Sequence, residues 1–160
     1  MQRDIALLVE MLDHAFVGRG WHGTTLTGAL RGLTPKQALA HPGGARHCVW
    51  DLVLHTAYWK YVVRCRITGE RPAGGFPRSP SNWPSPPEHP TTALWRKDVW
   101  LLKEMHAQLR QAVTQLPPSR LDARSPTGQW RFAELIHGVA AHDLYHTGQI
   151  QLLKRLAGRR

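Results

Sequence analysis

The sequence predicts an all-α four-helix bundle, and three observations carry the prediction. Four segments repeat apolar residues at helical spacing over fifteen residues or more. No stretch alternates apolar and polar residues with the period of two that a half-buried strand needs. The connections between the four segments are long and rich in proline and glycine. At 160 residues the chain reads as one domain, 1–160, long enough to bury a core. With 42% hydrophobic and 20% charged residues it has the composition of a folded chain rather than a disordered one.

The first helix is predicted over residues 3–17, where Ile5, Leu8, Val9, Leu12 and Phe16 repeat at helical spacing. His14 falls opposite Ile5 on that wheel and is expected to be exposed; Gly18 and Gly20 end the helix. Trp21-His22-Gly23-Thr24-Thr25 leads into a short helical piece ending at Leu30. Thr34 followed by Pro35 is an N-cap with proline at the first helical position, opening another short helix to about Ala40. His41-Pro42-Gly43-Gly44 breaks it.

The second long helix is predicted from about Cys48 to Ile67, stopped by Gly69, with a packing face of Cys48, Leu52, His55, Trp59, Val62 and the stem of Arg66. Residues 70–90 hold seven of the twelve prolines together with Gly74 and Gly75, so they form a loop rather than regular structure. Phe76 and Trp83 indicate that this loop packs down, as a crossover strap or as a pocket wall. Leu94, Leu101, Leu102, Met105, Leu109, Val113 and Leu116 mark the third long helix, from about Thr92 to Leu116, which Pro117-Pro118 stops. A loop through Ser125-Pro126-Thr127-Gly128 precedes the fourth, from about Phe132 to Ala157.

Several function classes fall away on composition. The longest apolar runs are far short of a membrane span and the first residues lack a signal-peptide core, so the expectation is a cytoplasmic protein without a membrane partner. Cys48 and Cys65 lie on one helix, about 25 Å apart at 1.5 Å per residue, too far for a disulfide. The net charge of +10 is spread along the chain, apart from a C-terminal cluster of Lys154, Arg155, Arg159 and Arg160. Without a recognisable nucleic-acid-binding signature, that charge predicts no specific nucleic-acid partner and suits an anionic small molecule equally well.

The chemistry concentrates in the histidines. His142 and His146 are four residues apart, about 40° around a helix and one turn along it, so both imidazoles can converge on one ion. Leu135, Val139 and Leu153 fall within about 60° of His142, which places the pair on the side where the helix packs. Zinc proteases carry H-E-x-x-H, but here Asp143 stands at the Glu position, and the fourteen residues after His146 contain no His, Asp or Glu to complete such a site. The third ligand must therefore come from upstream, and His55, in the middle of the second helix's stripe, is the candidate. Three neutral imidazoles suit Zn²⁺, Ni²⁺ or Fe²⁺, with the remaining positions left to water. An ion held this way lowers the pKa of a bound water or thiol and so creates a nucleophile.

Other residues are candidates around that site. Asp51, one turn before His55, and Asp143, three residues before His146, either orient imidazole N–H groups or are ordinary helix-surface charges. Gln149 shares the His142 face as a polar pocket group, and Trp21 and Trp59 are candidate pocket walls. His137 points away from the pair; His41, His47 and His89 lie by breakers, where a solvated role is expected. His106 falls near the core face of the third helix, and His22 is placed at a pocket mouth.

Three pieces of this sequence resemble the DinB/YfiT-like metal-binding bundles: Trp21-His22-Gly23, Trp50-Asp51-Leu52-Val53-Leu54-His55 with Trp59, and Ala141-His142-Asp143-Leu144-Tyr145-His146-Thr147-Gly148-Gln149-Ile150-Gln151-Leu152-Leu153. They occur in order and span nearly the whole chain, the last being the most specific. The resemblance implies an up-down-down-up bundle in which His55, His142 and His146 bind one divalent metal, Zn or Ni first, Fe or Mn next. It implies a small-molecule substrate and a homodimer. Its members look like thiol-dependent S-transferases or isomerases, some like hydrolases, and many have no assigned activity. The expectation is a metal-dependent enzyme acting on a small electrophile, with a low-molecular-weight thiol as a possible cofactor; the alternative is a non-catalytic metal or ligand binder of the stress response.

Overall fold

In the computed structural model, which describes residues 2–70 and 75–158, the chain is predominantly helical. Residues 71–74 of the predicted loop, and Arg159 and Arg160 of the basic cluster, lie outside the described residues. The helices are α1 (Gln2–Phe16), α2 (Leu26–Ala29), α3 (Pro35–Ala38), α4 (Val49–Thr68), α5 (Thr92–Thr114) and α6 (Phe132–Ala157), with 3-10 turns at Pro42–Gly44 and Pro118–Arg120. Among the described residues the only β-type pairings are two isolated bridges, Gly20 with Gly23 and Arg124 with Arg131. No helix among them is long and apolar enough to cross a membrane.

The helix ends follow from local chemistry. Thr34 accepts from the Gln37 amide while the Gln37 side chain accepts from the Thr34 amide, a reciprocal cap with Pro35 behind it. Cys48 and Asp51 make the same reciprocal cap for α4, whose far end closes on Gly69 in the left-handed region at φ 76°. Thr91 caps α5. The predicted α6 matches the observed one at both ends, and α5 stops two residues earlier than expected.

The four long helices pack α1 against α5 and α6, and α4 against α5 and α6. Their buried apolar residues form two clusters. One gathers Phe16, α2, the first half of α4, Trp95 to Met105 of α5, and Ile150 and Leu153 of α6. The other gathers the rest of α1, Val63 and Ile67 of α4, the second half of α5 and the first half of α6. On α4, α5 and α6 the change from one cluster to the other falls at buried polar residues: Lys60, His106 and Asp143.

The packing face of α4 differs from the predicted stripe. Trp50, Val53, Leu54, Ala57 and Lys60 are fully buried, whereas Trp59, Val62 and Arg66 are half-buried. The first half of α4 is covered nearly all round, so a single stripe does not describe it, and Lys60 is buried where its residue type argues for solvent.

Candidate metal centre

α4 and α6 bring His55, His142 and His146 together, with ligand-type nitrogens all within 4.8 Å of one another. His142 Nε2 lies 3.1 Å from His55 Nε2 and 3.0 Å from His146 Nε2. His55 and His146 are buried and His142 is half-buried. The i, i+4 spacing on α6 supplies two of the rings, and α4 crosses so that the third meets them.

The outer nitrogens decide what the inner ones can do. His55 Nδ1 donates to the carbonyl oxygen of Asn82 at 2.6 Å, and His146 Nδ1 donates to Oε1 of Gln149 at 2.6 Å. Each of these neutral rings then presents a bare lone pair at Nε2. A proton on His142 Nε2 can serve only one of its two neighbours, so the cluster is short of positive charge at its centre. A single cation satisfies all three nitrogens. At metal–nitrogen distances of about 2.0–2.1 Å, ligand nitrogens stand about 2.9 Å apart at right angles and about 3.3 Å apart in a tetrahedron, and the two separations from His142 Nε2 fall between. The donor set therefore fits one divalent transition metal.

Charge on the rings is suppressed in the way a metal site needs. Burial, opposed by the Asn82 bond and reinforced by the neighbouring histidines, pushes His55 down to about 4. Burial and then the fields of His146, His55 and Lys60 push His142 down to about 3. Burial likewise lowers His146, against the Gln149 bond. All three are neutral near pH 7 and available as ligands.

The Pro-rich loop supplies more of this site than the sequence indicates. Trp83 stacks on His55 with ring centroids 3.8 Å apart, and on its other face it stacks on His47, also at 3.8 Å. His47, expected to be solvated, is thus part of a three-ring stack. Asn82, at φ 69°, offers its carbonyl to His55 and its side-chain oxygen to Trp59 Nε1 at 2.9 Å. A backbone carbonyl leaves no mark in sequence, so Asn82 could not be found there; Trp83 could, and with Phe76 it marks the loop as one that packs down.

The remaining predicted residues divide. Trp59 stands edge-on to both His55 and His142, with centroids 6.4 and 6.3 Å away, and Gln149, expected as a polar pocket group, accepts from His146. Asp51 does not reach His55: it caps α4 and lies 3.9 Å from His47. Asp143 orients none of the three histidines: its bonded oxygen accepts from Lys60 Nζ, and both side chains are fully buried in the core. Trp21 is fully exposed and does not line the cavity at the histidines. His22 borders a different hollow, with Thr24, Leu144 and Gln151. His142 Nδ1 is buried with no hydrogen-bond partner, so this ring lacks the outer bond that its two neighbours have.

A second group, His41, Cys48 and Asp51, also places ligand-type atoms within 4.8 Å. Burial pushes the Cys48 thiol up to about 12, and Cys48 and Asp51 are both committed to capping α4. Its chemistry is that of a helix terminus.

From the histidines a groove of about 780 Å³ runs between α4 and α6, bordered by Trp59, Val63 and Arg66 on one side and Leu135 and Val139 on the other, with Trp130 also in its wall. Residues 21–150 match a family described as the DinB superfamily, a span that contains all three histidines. No curated protein and no solved structure matches the chain.

Proposed function

The chain belongs to the DinB superfamily, and from that premise we propose that it is a metal-dependent enzyme in an up-down-down-up bundle, joining a thiol to a small electrophilic substrate. The observation that carries this reading is the convergence of three neutral imidazoles, two of them tethered at their outer nitrogens, at the head of an apolar groove. A divalent ion there, Zn or Ni first and Fe or Mn next, supplies Lewis acidity that lowers the pKa of a bound thiol or water.

The protein's own residues favour a thiol over water. Attack by water gains from a nearby carboxylate base, and Asp143, the residue at the sequence position for that role, is locked in the core against Lys60, about 100° around α6 from His142. A thiol needs no such base once its proton has passed to solvent. Its sulfur forms the bond to the electrophilic carbon, and the leaving group departs with the electron pair. His55, His142 and His146 hold the ion, Asn82 and Gln149 fix two of the rings, and Trp59 and Trp83 exclude water from their edges. A small-molecule substrate and a homodimer belong to the same proposal.

The same position of Asp143 favours a second reading, a metal or ligand binder without turnover. The two separate on one experiment. Protein purified without an affinity tag and loaded with metal is screened against thiol–electrophile pairs. The enzyme reading expects about one metal per chain and turnover that disappears with the metal. Metal at that stoichiometry without any metal-dependent turnover selects the binder, and full metal content in His142→Ala overturns both.

A further inference from the structure

The groove between α4 and α6 is apolar along its walls and carries one uncommitted strong charge. Its acid, Glu134, is already used: Oε2 accepts from the Arg131 amide at 2.8 Å and Oε1 from the Arg131 guanidinium at 3.2 Å. The side-chain oxygen of Asn82 accepts from Trp59. Arg66, half-buried at the groove's edge, has no hydrogen bond or ion pair with any of the described residues. His137, exposed, borders the same groove.

The spacing sets a length. Arg66 is eleven residues beyond His55 on α4, about 16 Å of helix rise, and its side chain spans about 6 Å, so its charge lies about 10–16 Å from the histidines. Between them stand Trp59, Val63, Leu135, Val139 and Trp130, none of which can satisfy a polar group on a ligand's body except Trp130 at its indole nitrogen, since that of Trp59 already donates to Asn82. A short polar substrate would leave Arg66 unpaired and the walls wet. A guanidinium with no carboxylate partner among the described residues, at the end of an apolar channel, is a receptor for an oxyanion.

We propose that the groove selects an elongated apolar substrate with a terminal carboxylate, its reacting atom at His55, His142 and His146 and its carboxylate on Arg66. The assignment of the reacting end rests on the metal-enzyme reading; the assignment of the carboxylate to Arg66 rests on the groove alone.

The test is calorimetric binding of 8-mercaptooctanoate and 8-mercaptooctan-1-ol to metal-loaded protein, two probes with the same thiol and chain. The acid is expected to bind about tenfold more tightly at low ionic strength. Arg66→Gln should bring the acid to the affinity of the alcohol while leaving the alcohol's affinity and the metal content unchanged. Trp130→Ala should weaken both probes together. Equal binding of acid and alcohol by the unaltered protein, or a preference that survives Arg66→Gln, overturns the proposal. Octanoate and octan-1-ol, measured on protein treated with chelator, separate the two readings: a preference for octanoate that needs Arg66 supports the groove even if no metal is retained, and its absence counts against the groove even if the metal is present.

Discussion

Gln149 accepts the Nδ1 proton of His146 at 2.6 Å, three residues along the same helix, and so fixes which nitrogen of that ring faces the other two histidines. His55 is fixed the same way, but by a backbone carbonyl, that of Asn82. The two tethers should respond differently to mutation. Gln149→Leu removes the acceptor and should lower metal affinity about 10–100-fold, the usual cost of losing an outer partner of a ligating histidine. Asn82→Gly keeps the carbonyl and tolerates the positive φ of this position, so its metal affinity should stay near that of the unaltered protein. Competition with a chromophoric chelator measures both. Equal losses in the two variants would mean that the ring tethers are not what sets affinity.

Lys60 and Asp143 form an ion pair in which both side chains are fully buried, and Lys60 Nζ also lies 4.8 Å from the centre of the Phe16 ring. One carboxylate oxygen of Asp143 has no hydrogen-bond partner, and burial pushes this carboxyl's pKa up against the opposing pull of Lys60. Lys60→Met should destabilise the protein by about 3–5 kcal/mol, because it strands a buried carboxylate. The double variant Lys60→Met with Asp143→Leu should recover most of that loss, since an apolar pair can replace the ions where the two core clusters meet. Denaturant unfolding of the three proteins gives the comparison, and a double variant no more stable than Lys60→Met would show that the ions themselves are required there.

These residues also mark how far the sequence could be read. The ends of α6 and the trio His55, His142 and His146 were legible because helical period and i, i+4 spacing are local properties. The role of Asp143 was not. One residue after His142 means about 100° around the helix, so the side chain next in sequence to a ligand points to another face. Nothing local distinguishes Lys60 from a surface lysine; only the packing of α4 on α6 brings it to Asp143. The stack of His47, Trp83 and His55 joins a helix approach, a loop and a helix interior, and no periodic signal connects those three. Trp21 failed for the converse reason: it neighbours a family-like turn in sequence, but the turn projects it into solvent.

The lowered histidine pKa values give the metal-free protein a defined acid limit. His55 falls to about 4 and His142 to about 3, and His106, buried against Phe16 and near Lys60, also falls to about 3. Each ordinarily titrates at 6.5. Below that pH the unfolded chain takes up protons that the folded chain refuses, so these groups favour unfolding as pH falls from about 6.5 through about 4. Above about 6.5 both states are neutral at these positions and the contribution is constant. The denaturation midpoint measured in chelator should therefore be level with respect to these groups from pH 8 to 7 and decline steadily from 6.5 to 4. Metal binding carries the same sign, because protons compete for His55 and His142 only near their folded values and for His146 only below its ordinary value; release of the ion should have its midpoint below pH 6.5. Release of the metal with a midpoint near 6.5 would contradict the burial of these rings.

Asp98, on α5 and buried, ties the Pro-rich loop to the core. One oxygen accepts from Trp50 Nε1 at 2.9 Å, and the other accepts from Arg78 of the loop, at 2.9 Å from Nε. Four and five residues further on, the same loop delivers Asn82 and Trp83 to His55. Asp98→Ala should cost about 3–4 kcal/mol, since it leaves the buried Trp50 N–H and the Arg78 guanidinium without an acceptor. Asp98→Asn keeps an acceptor for Trp50 while losing the charge that holds Arg78, so it should cost less in stability yet still loosen the loop. The two variants should show the same gain in tryptic cleavage after Arg78 and the same fall in metal affinity, despite their different stabilities. If Asp98→Asn leaves both readouts unchanged, the stack of Trp83 on His55 is sufficient by itself to hold the loop over the site.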